Sequence, residues 1–235
     1  MHRTLNIATF NMHKGVTHFN ARLALHEQRD ILRNISPDIL FLQEVREKHH
    51  LHSQRFDAWP SAGPNHFLAQ PDWPHQAYGK NAEDKHGHHG NAILSKYPIL
   101  RSKNHDISAH SIEQRGFLHS EIQIPNWHTP LHALCVHLGL LGHWRRRQLH
   151  SMADYIHQQI DPQSPLIIAG DFNDWSMRAG HLFANRLKLH EVFEHHIRQT
   201  FTATRSIYAA PRSSRTELSC LLATLKIRPH LCTRI

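Results

Sequence analysis

The sequence predicts an α/β fold with mixed sheets. Three observations carry this: an apolar strand, an amphipathic helix and a second apolar strand follow one another at the N-terminus; two later strands are joined by a link too short for a helix; and a long helix precedes another buried strand. Residues 4–11 (TLNIATFN) are β-rich and end in the polar, glycine-containing MHKG, so they read as a strand that delivers Asn11 to a sheet end. From Arg22 to Ile35, Leu25, Leu32 and Ile35 recur at helical spacing, and Ser36-Pro37 closes the helix. Ile39-Leu40-Phe41-Leu42 then forms a second strand ending in Gln43-Glu44.

Residues 48–90 are rich in His, Pro, Gly, Asn and Trp without clear periodicity, which predicts a long loop region over one edge of the fold. Asn91–Ser95 resumes as a strand stopped by Tyr97-Pro98. Phe117–Ile124 and Leu131–Leu138 follow as strands across the turn-like segment from Pro125 to Pro130, an arrangement that favours antiparallel pairing. His143–Ile160 predicts a helix, with Leu149, Met152, Ile156 and Ile160 on one face and Arg145-Arg146-Arg147 opening its exposed side, either as a solvated face or as a phosphate contact. Pro165–Ala169 is a last buried strand, carrying Gly170-Asp171-Phe172-Asn173-Asp174 at its end.

The 235 residues suffice for one sizeable core, and the composition excludes disordered, collagen-like and coiled-coil chains. A formal charge of +8 invites a polyanionic partner, nucleic acid or anionic lipid. Its distribution weakens that reading, because residues 202–235 hold six basic residues and one acidic residue and so supply +5 of the total. The 26 histidines mostly fall in no ligand spacing and read as a solvated surface; Cys135, Cys220 and Cys232 form neither a CxxC pair nor a disulfide framework. The opening MHRTLNIATFNMHKG lacks the apolar run of a secretory leader, and no stretch approaches the length of a membrane span, which predicts a soluble, cytoplasmic protein with no transmembrane segment. No stable protein partner is signalled.

Several strands therefore end in chemistry. Asn11, Gln43-Glu44 and Asp171 with Asn173 follow strands, and His137 lies within one, and α/β folds build active sites at strand ends. Glu44 and Asp171 are hard oxygen donors suited to Mg²⁺ or Mn²⁺, and the spacing shows none of the Cys/His sets that zinc prefers. A divalent ion beside an imidazole and two amides suits phosphate-ester hydrolysis. Each element alone reads more readily as a turn, a cap or a core histidine than as part of a site.

Taken together, ATFNMHKG, DILFLQEV, HHGNAILSKYPI, CVHLGL and LIIAGDFNDW, in this order over residues 4–175, resemble the endonuclease/exonuclease/phosphatase superfamily, the deoxyribonuclease I-like fold. NMHKG, AYGKNA and GHHGNAILS are most similar to a bacterial group often encoded beside cardiolipin synthases. The resemblance implies a four-layer α/β sandwich, two mixed sheets face to face with helices outside. It also implies a Mg²⁺- or Mn²⁺-dependent phosphoric-ester hydrolase, a nuclease or other phosphodiesterase acting by water attack on nucleic acid or a phospholipid headgroup. By the same resemblance Glu44 is the main metal ligand, with Asn11 beside it as ligand or orienting amide. His137 is the acid/base or hydrogen-bond donor, Asp171 orients or activates water, Asn173 holds a phosphate oxygen, and Tyr78, Asn91 and Arg115 border the phosphate pocket. On their residues alone, the last three read equally as fold-supporting turn and strand positions.

The resemblance stops near Phe201. Superfamily members end with an Asp-bearing strand and a Ser-Asp-His triplet whose histidine is central to hydrolysis, and neither the triplet nor any Asp occurs after residue 201. This divides the chain into a family domain, 1–201, and an atypical segment, 202–235, read in a shifted frame or otherwise replaced, so that the C-terminal part of the fold is incomplete or aberrant. A divergent terminus in which another histidine substitutes is the competing reading, and a catalytically impaired fragment or binding module is the competing function.

Overall fold

A computed structural model describes residues 3–17, 22–110, 113–174, 178–189, 205–207 and 220–227. Among the described residues, ten strands form two five-stranded sheets. The first sheet contains β1 (Arg3–Asn11), β2 (Ile39–His49), β3 (His75–Asp84), β4 (Gly87–Ser95) and β10 (Cys220–Ile227), in the order β10-β1-β2-β4-β3. The second contains β5 (Ile99–Asp106), β6 (Gly116–Ile122), β7 (Leu131–His137), β8 (Leu166–Asp171) and β9 (Arg205–Ile207), in chain order. Each sheet holds one parallel pair, β1/β2 and β7/β8, among antiparallel neighbours.

Strand alternation sorts the core into layers. Leu5, Ile7, Ile39 and Phe41 of the first sheet meet Leu118, Ala133, Cys135, Ile167 and Ala169 of the second in the central core. Ala8, Phe10, Leu40 and Leu42 turn outward to Leu25 and Leu32 of helix α1 (Leu25–Ile35), with Leu68 and Ala69 of helix α3 (Pro64–Ala69) in the same cluster. On the far side Leu134, Val136 and Ile168 pack against helices α4 (Gly142–Gln159) and α5 (Arg178–Leu187). Leu149, Met152, Ile156 and Ile160 are all buried, as their spacing required. The layers are thus helix, sheet, sheet, helix, the expected four-layer sandwich.

Residues 48–90 differ from the expected loop. They hold helix α2 (His50–Arg55), α3, all of β3 and the start of β4. The β3/β4 hairpin escapes periodicity because β3 is an edge strand built largely of His, Gln, Lys, Asn and Glu; its turn is closed by Asp84 Oδ1, which accepts from His86 N–H (2.7 Å) and Gly87 N–H (3.1 Å). Trp73 is fully buried in the outer core and donates its indole N–H to the Pro37 carbonyl at 2.8 Å.

Arg145 departs from the exposed side expected of the arginine run. It is buried, and its Nη1 donates to the Gly139 and Leu140 carbonyls at 3.1 and 2.9 Å, while Arg146 and Arg147 stay exposed. The guanidinium holds the chain reversal between β7 and α4. In the C-terminal segment, β9 pairs with β8 and β10 pairs with β1, so both edges that a lost terminus would leave open carry a strand. The backbone of β10 meets the row of donors and acceptors that β1 presents, from Arg3 opposite Ile227 to Phe10 opposite Cys220. The other residues after 189 lie outside the described residues.

Candidate active site

Both parallel pairs deliver their C-terminal ends to one place. In the register of β1/β2, Asn11 lies beside Gln43; in that of β7/β8, His137 lies beside Asp171. Asn11, His137 and Asp171 are odd-numbered like Leu5, Ile7, Ala133, Cys135 and Ala169, so they share the inter-sheet face with the central core.

Glu44 breaks this parity and reaches the same face by a β-bulge. Leu42 pairs with Ala92 and Val45 with Gly90, so Gln43 and Glu44 together oppose Asn91 alone. Glu44 sits at φ +53°, a left-handed conformation uncommon for a residue with a side chain. The bulge turns its carboxylate onto Asn11, whose Nδ2 donates to Glu44 Oε1 and to Asp171 Oδ2, both at 3.2 Å. One amide therefore joins carboxylates from the two sheets. Asn11 is itself held by His13 N–H donating to its Oδ1 at 2.9 Å.

His137 Nε2 stands 3.9 Å from Glu44 Oε1. Asn173, at φ +48°, donates its backbone N–H to Asp171 Oδ1 (3.1 Å) and its Nδ2 to the Leu138 carbonyl (2.8 Å). These five residues form one buried or half-buried cluster. Burial alone would raise the Glu44 carboxyl; His137, the Asn11 amide, Lys14 and His13 together hold it below the usual carboxylate range. Burial, then the Arg115 charge, push the His137 imidazole toward its neutral form against the pull of Asp171 and Glu44. At neutral pH the site thus presents an ionised carboxylate beside a neutral imidazole.

The other three expected residues are placed differently from one another. Asn91 is fully buried and donates both amide hydrogens across the sandwich, to the Gly116 (2.9 Å) and Cys135 (3.1 Å) carbonyls, tying the sheets together behind the bulge. Tyr78 is half-buried, with its hydroxyl 3.0 Å from His88 Nδ1. Arg115 pairs with Glu113 at 3.0 Å and acts on the charge of His137.

Sequence reasoning missed Lys14, His89 and Arg46, whose charges all act on or answer to Glu44. Burial is the main cause that drops His89 to about 4, with Lys14 next and Glu44 opposing. Lys14 and His89 lay in quoted motifs, but nothing in their spacing showed that they face the carboxylate. Lys14, Arg46, Arg55, His49, His52 and His86 line a neighbouring cavity of about 680 Å³.

The sequence pattern of the Endonuclease/Exonuclease/phosphatase family matches residues 8–221. The match spans most of the chain, which belongs to this family. It is 42% identical over 190 residues to the uncharacterized protein YbhP of Escherichia coli K12, covering 81% of this chain and 75% of that protein. Among solved structures, an endonuclease/exonuclease/phosphatase from Beutenbergia cavernae is similar with a TM-score of 0.60 at 19% identity, over 74% of this chain and 48% of that one. The mannosyl-6-phosphatase of Bacteroides thetaiotaomicron gives 0.60 at 15%, over 82% and 74%. D. rerio TDP2 complexed with a single-strand DNA product gives 0.54 at 18%, over 76% and 64%. At these identities the structural likeness speaks for the fold.

Proposed function

We propose that the chain is a metal-dependent hydrolase of a phosphodiester, nucleic acid or a phospholipid headgroup, that uses the Glu44–Asn11–Asp171 cluster. The observation that carries this reading is the single amide joining carboxylates from both sheets within reach of a neutral imidazole. The donor set fits Mg²⁺ or Mn²⁺, since it offers carboxylate oxygen and no thiolate. Glu44 would hold the ion; with Oδ1 engaged by His13 and Nδ2 by the carboxylates, Asn11 fits the orienting role. The ion would supply positive charge against the phosphate oxygens.

The chain's own residues account for the remaining needs. Asp171, held from one side by Asn11 and from the other by Asn173 N–H, would accept a proton from a water aligned with the phosphorus. The neutral His137 can donate a hydrogen bond to a phosphate oxygen or take up a proton. Asn173 spends one amide hydrogen on Leu138 and keeps the second for a phosphate oxygen. In the neighbouring cavity Lys14, Arg46 and Arg55 outnumber the one carboxylate, Asp84, which suits further negative charge of the substrate. Similarity to the cardiolipin-synthase-associated group favours lipid, and the expected location is the cytoplasm; among the described residues no helix is long and apolar enough to cross a membrane.

The test is turnover of a chromogenic phosphodiester by the full chain. Hydrolysis is expected with Mg²⁺, lost with a chelator and restored by added metal. Activity on DNA should then fall steeply with salt, whereas activity on a short-chain phospholipid should not. Absence of turnover in folded, Mg²⁺-bound protein would overturn the hydrolase reading. It would favour the binding module, which the missing Ser-Asp-His triplet supports.

Residues 202–235 remain, on this reading, a replaced terminus following a family domain of 1–201. Sequencing the gene past codon 201 is expected to show an Asp-bearing strand and Ser-Asp-His in a neighbouring frame. Their absence from both other frames would refute the shift.

A further inference from the structure

A second cluster lies on the other face of the second sheet. Glu121 of β6 and His132 of β7 are directly opposed, and His119, two residues before Glu121, points to the same side. His119 Nε2 is 2.9 Å from His132 Nδ1, and one ligand atom from each of the three residues lies within 4.8 Å of the others. Both imidazoles are buried, and the Glu121 carboxylate is half-buried. From helix α4, the Tyr155 hydroxyl meets the remaining nitrogen of His119, Nδ1, at 2.9 Å.

We propose that His119, His132 and Glu121 bind a transition-metal ion of the Zn²⁺ class, separate from the phosphodiester site. Two imidazoles and one carboxylate are a donor set that zinc accepts with its fourth position left to water, and that Mg²⁺ does not favour. Tetrahedral Zn–N bonds of about 2.0–2.1 Å place ligand atoms about 3.3 Å apart, so the two imidazoles are nearly in place and the carboxylate moves in by at most about 1.5 Å. Arg101 bonds Glu121 through one oxygen only, Oε2, at 2.8 and 3.2 Å.

The protons balance without loss. In the metal-free cluster one ring N–H fills the gap between His119 and His132. If it is the Nε2–H of His119, binding moves that proton to Nδ1, where Tyr155 turns from donor to acceptor; Nε2 then offers its lone pair. Tyr155 thereby fixes the tautomer, as outer-shell partners of metal-bound histidines do.

The two sites are independent by geometry. His132 and His137 are five residues apart on β7, roughly 17 Å at the rise of a strand, and of opposite parity, so they face different layers. The spacing in sequence concealed this site, because 13 residues separate the histidines and only the β6/β7 register brings them together. Bound there, the ion would clamp β6 and β7 to α4 through Tyr155.

The experiment is calorimetric titration of Zn²⁺ into the full chain with Mg²⁺ present, paired with thermal melting. One stoichiometric site is expected, at least tenfold weaker in Glu121→Gln, lost in His132→Gln, unchanged in Glu44→Gln, and raising the melting temperature of the wild type but not of Glu121→Gln. His132→Gln removes a buried group and can unfold the chain, whereas Glu121 lies at the rim, so the Glu121→Gln result decides. Equal Zn²⁺ affinity in wild type and Glu121→Gln assigns the binding to other histidines and overturns the proposal, as does the absence of a stoichiometric site.

Discussion

Glu44→Gln is expected to lower Mg²⁺-dependent hydrolysis by about 10³-fold or more, equivalent to about 4 kcal/mol of transition-state stabilisation. The substitution keeps the volume and an oxygen that can accept from Asn11, but removes the negative charge that would hold the ion. Asp171→Asn should cost about as much for a different reason. Its new amide nitrogen would face either the Asn11 amide or the Asn173 N–H, two groups that already donate to this side chain. Because the residues act as one unit, the double variant should fall little further than either single one. Initial rates over a Mg²⁺ titration check this. The Glu44 variant should need far more metal, and a rate within threefold of wild type would remove Glu44 from the site. The Glu44 variant should melt close to the wild type, which separates lost chemistry from lost structure, whereas the buried donor clash in Asp171→Asn should also lower its melting temperature.

Gly170→Ala is expected to destabilise the fold by about 3 kcal/mol or more, or to prevent folding. Gly170 sits inside β8 at φ +152°, and a Cβ there would lie 2.0 Å from the Val136 carbonyl oxygen and 2.8 Å from the Val136 nitrogen. Those are backbone atoms of the paired strand β7 and cannot swing aside. The glycine therefore lets β7 and β8 approach closely one residue before Asp171 comes level with His137. Gly142→Ala, at the first residue of α4, is the control: its Cβ would meet nothing nearer than Arg145 Nη2 at 3.8 Å, so stability should hold or rise by about 0.5 kcal/mol. Urea unfolding of the two variants measures the contrast, and equal midpoints would show that the β7/β8 contact tolerates a methyl group.

Much of the fold was legible because its signals are local. The stripe of Leu149, Met152, Ile156 and Ile160 announced α4 with little error, and runs such as LIIA announced buried strands. Strand β5 and helix α5 went unread. The first is an edge strand with mostly polar residues exposed to water, and the second shows its apolar face only as Ala179, Phe183 and Leu187. Arg145 was assigned to the surface with its neighbours, since charge is read from composition while burial depends on which carbonyls need a donor.

The sequence by itself determined the family, the strands and helices with strong local periodicity, and the placing of Asn11, Glu44 and Asp171 at strand ends. Alternation and helical periodicity are properties of neighbouring residues, so they can be read along the chain. The tertiary structure alone decided how Glu44 joins the other two, because the bulge exists only in the pairing of β2 with β4. It also decided that Asn91 ties the two sheets together and that His119 meets His132, since both depend on contacts between distant segments and therefore on register across the sheets.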